Sequence, residues 1–168
     1  WGNHPDPGLS ELGESQADAA SKKLIDVLDS RVRIVSSPLL RARKTAAPLA
    51  AAVGKKVEVD ERFREIEAPV SLKLRQSWIK EFSKQTWNSQ NNSLREWRRR
   101  ALEGLLEYDG CTVIFTHFMI LNTAVGIATD QINTLCFRPD YCSITKLQSD
   151  GRVLELMVLG DELSTPVL

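Results

Sequence analysis

The spacing of apolar side chains predicts that helices and short strands alternate along this chain. Residues 9–29 have apolar positions at helical intervals, and Ser10 is placed to cap the start of that helix. A second helix is predicted over 39–54, ending at Gly54, with a kink or break at Pro48. Apolar or alternating runs predict strands, the last of them buried, at 32–36, 56–60 and 111–118.

The second half of the chain continues this alternation and then closes on a hairpin. Residues 69–108 have a helical pattern apart from one polar turn, and a strongly apolar helix follows the strand at 111–118. Two strand-like runs, 142–148 and 152–159, are joined by Ser-Asp-Gly, which is typical of a hairpin turn. This order predicts a three-layer α/β/α sandwich with a mixed, mostly parallel sheet. We interpret residues 1–168 as one domain, with 69–108 as a helical lid-like segment within it.

Composition narrows the possible functions. The formal net charge is zero, which argues against broad nucleic-acid binding, because such binding normally needs a basic excess. No apolar run approaches about 20 residues, so no membrane span is expected. Cys111, Cys136 and Cys142 lack the spacing of a zinc site and predict buried or half-buried thiols in a reducing compartment, the cytoplasm.

Polar groups suited to binding an anion follow the strand at 32–36. Ser36 and Ser37 lead into a helix start, where free backbone N–H groups, the positive end of the helix dipole and Arg41 can together bind a phosphate. Arg41 and Arg43 lie about 200° apart on a helix, so at most one of them faces such a pocket. On this segment alone, a solvated basic helix start explains the pattern equally well.

The next two strand ends carry an acid and a histidine. Glu65 lies in the loop after 56–60 and can act as a general acid, while His117 can donate to an anion or move a proton near neutral pH. A solvated glutamate and a structural histidine are the plainer alternatives. Because the carboxyl ends of strands in such sheets form the usual ligand site, we predict that these groups converge. His4 is assigned to a flexible loop.

The lid-like segment carries basic and aromatic side chains whose roles differ. Its basic residues are interpreted as a solvated helix face in preference to contacts with the remote part of a substrate: Arg75, Lys80 and Lys84. Its tryptophans are interpreted as anchors that pack these helices onto the body of the protein: Trp78, Trp87 and Trp97. The segment therefore predicts little chemistry of its own.

Five segments together resemble the histidine phosphatase superfamily, also called the phosphoglycerate mutase-like family. The most specific is SSPLLRARKTAAPLA at 36–50, which is similar to that family's SSPLxRAxxTA signature. The others are DPGLSELGESQA at 6–17, RFREIEAP at 62–69, TVIFTHF at 112–118 and GDE at 160–162. The resemblance covers nearly the whole chain in the family's order.

The resemblance implies roles for three residues. Arg41 matches the arginine that holds the phosphoryl group, and His117 matches the second histidine, which stabilises charge on the phosphoryl oxygens. Glu65 matches the acid that protonates the leaving oxygen and then activates water. The family's mechanism needs no metal or other cofactor: a histidine attacks phosphorus and forms a phosphohistidine, which water or another acceptor then breaks down.

One part of the family's pattern is missing from the sequence. The nucleophilic histidine belongs to an Arg-His-Gly motif at the end of the family's first, central strand, and no Arg-His-Gly occurs here. His4 lies too close to Leu9, with no strand-like run before it, to replace that histidine. Because the chain begins at Trp1 and not at methionine, we expect that about 10–20 upstream residues, this strand included, were omitted. If the protein truly begins there, Arg41 and His117 can at best bind phosphate.

The resemblance favours hydrolysis of a phosphomonoester over phosphoryl transfer between substrates. The family's mutases carry longer insertions around the site, whereas the only candidate lid here is the segment at 71–100. The expected substrate is a small-molecule phosphomonoester or a phosphoprotein, with no nucleic-acid or membrane partner. A mutase-type activity, a catalytically inactive phosphate-binding module and a structural protein on the same fold are the alternatives.

Overall fold

The structure is a computed structural model that describes residues 6–163. Its α-helices are α1 (Glu11–Ile25), α2 (Leu40–Ala52), α3 (Arg75–Phe82), α4 (Asn92–Glu107) and α5 (Phe118–Ala128). Its strands are β1 (Arg33–Ser36), β2 (Val57–Val59), β3 (Thr112–Phe115), β4 (Lys146–Ser149) and β5 (Leu154–Val158). Within the described part, the predicted order of helices and strands is confirmed. The predicted loop position of His4 lies outside it.

The strands form a parallel sheet and a separate hairpin. β1 lies in the middle of the parallel sheet and pairs with β2 on one side and β3 on the other. β4 and β5 pair antiparallel across the predicted Ser-Asp-Gly turn, where Gly151 adopts a φ of 85°, a conformation that glycine takes at little cost. An α/β fold with mostly parallel strands is therefore confirmed.

Alternation along β1 places helices on both faces of the parallel sheet. Ile34 packs in one apolar cluster with Leu24 of α1 and Leu49 of α2. Its neighbour Val35 belongs to a second cluster, which includes Ala101 of α4 and reaches α5. Because successive side chains of a strand point to opposite faces, α1 and α2 cover one face and α4 and α5 the other. The protein thus has the predicted three layers.

Strand β3 has a partner on one edge only. It pairs with β1, and among residues 6–163 no strand pairs with its opposite edge. The sequence predicted a buried strand, but all four residues of β3 are half-buried. Within residues 6–163 that prediction is wrong, because β3 lies at an edge of the sheet there and an edge strand keeps part of its backbone and side chains accessible.

Local signals at the ends of α1 and α2 are confirmed. The Oγ atom of Ser10 accepts a hydrogen bond of 3.1 Å from the N–H of Gly13, which caps α1. Gly54 follows the end of α2 with a φ of 66°. Pro48 does not break α2, which continues to Ala52. Burial of the apolar face of α2 outweighs the cost of about 3 kcal/mol that an internal proline imposes.

The two helices of the segment at 69–108 differ in their surroundings. In α3 only Phe82 is buried, whereas Ala101 of α4 packs in one cluster with Val35 of the sheet and Gly104 lies against Phe63. The predicted anchoring by tryptophans is confirmed, because Trp78, Trp87 and Trp97 pack in one apolar cluster with Ile66 and Met119, which lie outside the segment. The lid-like role of the segment stays a prediction.

The cysteines are free thiols with different exposures. Cys136 and Cys142 are half-buried, as predicted. Cys111 is exposed, so the prediction is wrong for this residue, which lies in the surface turn immediately before β3.

Candidate active site

The carboxyl ends of β1 and β3 bring two polar residues into contact. Ser36 is paired with Phe115 in the sheet, so the residues that follow them lie at the same edge. The Nε2 atom of His117 lies 2.6 Å from the Oγ atom of Ser37, within hydrogen-bonding distance. His117 is only 7% exposed and occupies the position immediately before α5. The structure therefore brings together the two strand ends that the sequence singled out.

The start of α2 is capped by a carboxylate of the chain itself. The N–H of Leu40 donates to both carboxylate oxygens of Asp6, at 2.8 and 3.1 Å. The N–H of Leu39 donates to the Oγ atom of Ser37 at 3.3 Å. The prediction of free N–H groups for a phosphate is wrong for these two, because Asp6 reaches the helix start from a distant part of the sequence. An anion at this edge of the sheet would therefore contact side chains instead of these two N–H groups.

The two arginines at the start of α2 differ in exposure, as predicted. Arg41 is half-buried, whereas Arg43 is exposed. Burial lowers the pKa of Arg41, and the charge of Arg75 lowers it further, while the carboxylates of Glu65 and Asp6 raise it. The Arg41 guanidinium therefore shares one electrostatic environment with another cation and with two acids.

Glu65 is held at the start of α5 by two backbone N–H groups. Its Oε1 atom accepts from the N–H of Ile66 at 2.9 Å, and its Oε2 atom accepts from the N–H of Met119 at 3.3 Å. The residue is half-buried as a whole, but its carboxyl group is enclosed, and this burial raises the pKa of Glu65. The two hydrogen bonds and the charges of Arg41 and Arg75 oppose that rise without cancelling it. The carboxyl therefore keeps its proton to a higher pH than an exposed glutamate does.

Arg75, the first residue of α3, also belongs to this site. It is half-buried, and its charge acts on the pKa values of all three predicted site residues. The interpretation of Arg75 as a solvated residue is therefore wrong. Lys80 and Lys84 are exposed, in agreement with the same interpretation.

His117 is electrically neutral in this environment. Burial lowers its pKa to about 3, and the positive charges of Arg41, Arg75 and Arg64 contribute to the same shift. A neutral imidazole has one N–H donor and one acceptor nitrogen, so it can still donate to an anionic oxygen. A bound anion would offset the arginine charges and favour the protonated ring.

Three charged residues of the site were not predicted from the sequence: Asp6, Arg64 and Arg75. For two of them the sequence contained evidence that could have indicated the site. Asp6 opens the segment DPGLSELGESQA and Arg64 immediately precedes Glu65 in RFREIEAP, and both segments resemble the family. For Arg75 the sequence contained no such evidence, because its helix has the composition of an ordinary exposed helix. Only the path of the chain between β2 and α3 brings it to the site.

The described residues hold neither a metal cluster nor a membrane-spanning helix. Within residues 6–163, no group of three or more histidine, cysteine, aspartate and glutamate side chains could hold a metal ion. In the same range, no helix has the length and apolar content that crossing a membrane requires.

Arg41, Arg75, His117 and Glu65 thus combine cations, a neutral hydrogen-bond donor and a carboxyl group whose pKa is raised by burial. The model of the histidine phosphatase superfamily, branch 1, matches residues 1–162 of the sequence. The chain belongs to the histidine phosphatase superfamily. The resemblance carried by the signature at 36–50 is therefore confirmed, although no curated protein matches the sequence.

Several solved structures share this fold. Bacillus stearothermophilus YhfR is 25% identical and superposes with a TM-score of 0.73, covering 95% of this chain and 87% of its own. Phosphoserine phosphatase from Entamoeba histolytica, in complex with 3-phosphoglyceric acid, is 20% identical with a TM-score of 0.70 over 95% of this chain and 87% of its own. Mycobacterial glucosyl-3-phosphoglycerate phosphatase is 23% identical with a TM-score of 0.67, over 91% and 86% respectively. The last two identities support the fold alone.

The titration of His117 provides a direct check on the electrostatics of the candidate active site. We expect the imidazole to be neutral at pH 7 and to titrate well below the ordinary value of 6.5. Saturating inorganic phosphate should raise this pKa, because a dianion beside the ring offsets the nearby arginines. Histidine NMR signals followed against pH, with His117→Asn used for assignment, give the measurement. An imidazole that is protonated at pH 6 without phosphate would contradict the described environment.

The same shift has a consequence for stability. Between pH 6.5 and about 3 the unfolded chain binds the His117 proton more readily than the folded protein. The contribution of this residue to the free energy of unfolding therefore falls as the pH drops below about 6.5. His117→Asn should lose this part of the pH dependence, which urea unfolding at pH 7 and pH 5 measures.

Proposed function

We propose that this protein is a metal-independent phosphomonoesterase that works through a phosphohistidine intermediate. The observation that carries the proposal is the convergence of Arg41, Glu65 and His117 from three separate segments on one polar site. Cations around the site suit the charged oxygens of a phosphoryl group, and catalysis of this kind rests mainly on positioning and charge.

In this proposal Arg41 and His117 bind the phosphoryl group. The guanidinium of Arg41 offers paired N–H donors that match two phosphate oxygens, and its half-buried position strengthens the attraction. His117 donates from its protonated nitrogen to a further oxygen. Its contact with Ser37 holds the ring in place before substrate arrives. Arg75 contributes positive charge from the lid-like segment.

Glu65 acts first as an acid and then as a base. Its raised pKa favours the protonated form. Its proton passes to the ester oxygen as the nucleophilic histidine nitrogen bonds to phosphorus and the bond from phosphorus to the ester oxygen breaks. In the second step the carboxylate takes a proton from water as the water oxygen bonds to phosphorus. The bond from phosphorus to the histidine nitrogen then breaks, which releases inorganic phosphate and restores the enzyme.

We infer that the nucleophilic histidine lies upstream of the sequence described, at the end of a strand that pairs with β3. Two observations support this inference. Among residues 6–163 the edge of β3 away from β1 has no partner strand, and β4 and β5 form a hairpin separate from the parallel sheet. A parallel strand on that edge would end beside His117, because both strands would run in the same direction.

Hydrolysis is preferred to transfer between two substrates. The structural neighbours include phosphatases of phosphoserine and of glucosyl-3-phosphoglycerate, both small phosphate esters. Helix α3 and the turns beside it are the only lid-like part at the site in residues 6–163, because α4 packs against the sheet. We therefore propose a small phosphomonoester as substrate and water as the final acceptor.

The proposal is tested by comparing the full-length protein with the chain of residues 1–168. The full-length protein should release phenol and inorganic phosphate from phenyl phosphate in equal amounts and form an acid-labile phosphohistidine. The chain of residues 1–168 should bind phosphate but release neither product. His117→Ala in the full-length protein should lower kcat by about 10²-fold or more, because one stabilising donor is lost.

Three outcomes would count against the proposal. Equal turnover by both chains would place the nucleophile within residues 1–168. Phosphate binding by the full-length protein without turnover of any ester would favour an inactive binding module. Release of phenol without matching inorganic phosphate, in the presence of an acceptor alcohol, would favour a mutase-type reaction.

A further inference from the structure

Ser37 is held rigidly at the end of β1 by hydrogen bonds to its surroundings. It is fully buried, and its N–H donates to the carbonyl oxygen of Phe115 in β3 at 2.9 Å. Its own carbonyl oxygen accepts from the Oγ atom of Ser36 at 2.9 Å. Its Oγ atom accepts from the N–H of Leu39, immediately before α2, at 3.3 Å. The hydroxyl oxygen of Ser37 is therefore fixed where β1, β3 and α2 meet.

The contact between Ser37 and His117 contains one shared proton. The Oγ atom of Ser37 lies 2.6 Å from the Nε2 atom of His117, and the imidazole is neutral in this environment. Either the hydroxyl donates to an unprotonated Nε2, or a protonated Nε2 donates to the hydroxyl oxygen. The first arrangement leaves the proton of the neutral ring on Nδ1, and the second places it on Nε2. The direction of this hydrogen bond therefore decides the tautomer of His117.

The other contact of the Ser37 hydroxyl favours the first arrangement. A serine hydroxyl has one O–H to donate and two lone pairs that can accept. If Nε2 carried the proton, the oxygen of Ser37 would accept from both Nε2 and the N–H of Leu39, and its own O–H would need a further acceptor. Among residues 6–163 the side chain of Ser37 has hydrogen bonds with Leu39 and His117 alone. A buried donor without an acceptor is unfavourable, so the hydroxyl donates to Nε2.

The Nδ1 atom of His117 is then the donor that remains for a ligand. No acceptor among residues 6–163 forms a hydrogen bond with it, and it is not one of the fully buried unpaired atoms of this part of the chain. The charges of Arg41 and Arg75 act on the same ring, so an anion that they attract comes close to this N–H. The opposite tautomer would present a lone pair at Nδ1, which repels an anionic oxygen.

We propose that Ser37 is a positioning residue that fixes the tautomer of His117, so that Nδ1–H donates to the phosphoryl group. The inference rests on the proposed function, in which His117 is a donor to a phosphoryl oxygen, and it names the residue that decides which ring nitrogen donates. Ser37 acts through His117 and does not itself contact the substrate.

Nitrogen NMR of the full-length protein at about pH 8, where the ring is neutral, tests the inference without any change to Ser37. The ¹⁵N chemical shifts of the two ring nitrogens show which of them carries the proton, and His117→Asn assigns the signals. We expect the proton on Nδ1 in the absence of ligand. Inorganic phosphate should shift the signal of this N–H in a saturable manner, because a phosphate oxygen accepts from it.

Variants of the two adjacent serines separate positioning from general packing. Ser37→Ala should populate both tautomers and lower kcat/KM for an alkyl phosphate about tenfold, because the donor is misdirected in part of the molecules. Ser37→Thr keeps the hydroxyl and should retain the Nδ1–H tautomer and most of the activity. The matched control is Ser36→Ala, which removes an equally buried hydroxyl that donates to the carbonyl oxygen of Ser37 and should leave the tautomer unchanged.

Three results would overturn the inference. A proton on Nε2 in the unchanged protein would mean that Ser37 accepts from the ring, which leaves the phosphatase proposal intact. The same tautomer in Ser37→Ala, even with reduced activity, would show that Ser37 has only a structural role. An equal change of tautomer in Ser36→Ala would assign the effect to packing at the end of β1. If the NMR results are as expected but no ester is turned over, the phosphatase proposal fails while the role of Ser37 in phosphate binding stands.

Discussion

Arg41→Ala is expected to lower kcat/KM of the full-length protein for an aryl phosphate by about 10³-fold, whereas Arg43→Ala changes it by less than about threefold. Arg41 is half-buried within an environment that contains Glu65 and Arg75, and Arg43 is exposed. A buried guanidinium stabilises phosphoryl oxygens far more than one in water, because the local dielectric is lower and the donors are fixed before substrate binds.

The comparison of the two arginines is a matched one. They are two residues apart on α2 and carry the same charge, so a general effect of net charge would appear in both variants. Arg41→Lys should recover only part of the lost activity, because an ammonium lacks the planar pair of donors. Initial rates with p-nitrophenyl phosphate measure kcat/KM, and calorimetry with inorganic phosphate measures the loss in binding. Similar losses in both variants would refute the assignment of Arg41 to the phosphate.

Glu65→Gln is expected to lower kcat by about 10²–10⁴-fold for a substrate with a poor leaving group. The glutamine side chain can still accept from the N–H of Ile66 or Met119, so the local structure should persist while the transferable proton is lost. The loss should be large for an alkyl phosphate and much smaller for p-nitrophenyl phosphate, since nitrophenolate leaves readily without a proton. This difference between leaving groups separates an acid catalyst from a residue that only shapes the site.

Glu67 provides the control for this experiment. It is exposed and lies two residues from Glu65, and Glu67→Gln should leave kcat unchanged for both substrates. The pH–rate profile gives a second check, because the limb that reports loss of the Glu65 proton should disappear in Glu65→Gln. An equal loss for the alkyl and nitrophenyl esters would mean that Glu65 does not donate the proton.

The strands and helices could be predicted because their signals are local. Ser10 and Gly54 mark helix ends through their own side chain and backbone preferences, and the Ser-Asp-Gly turn does the same for the hairpin. The exposure of β3 could not be predicted in this way. The burial of a strand depends on the helices that cover its two faces and on the strands that pair with its edges, and both come from residues distant in the sequence.

In the candidate site, too, the residues with a local sequence signal could be predicted and the others could not. Arg41, Glu65 and His117 could be predicted because each follows a strand and falls within a segment that resembles the family. The cap that Asp6 places on α2 and the approach of Arg75 could not. Both depend on a side chain returning to the site from a separate part of the chain, which periodicity and spacing do not encode.

The sequence by itself determined the alternation of helices and strands, the three-layer architecture and the family, and it indicated three candidate site residues. Each of these depends on hydrophobic periodicity, on the conformational preference of single residues or on short motifs. Only the tertiary structure decided that His117 is neutral and that the charge of Arg75 acts on Arg41, Glu65 and His117. Burial and electrostatic environment decide these properties, and both arise from contacts that exist only once distant segments are packed together.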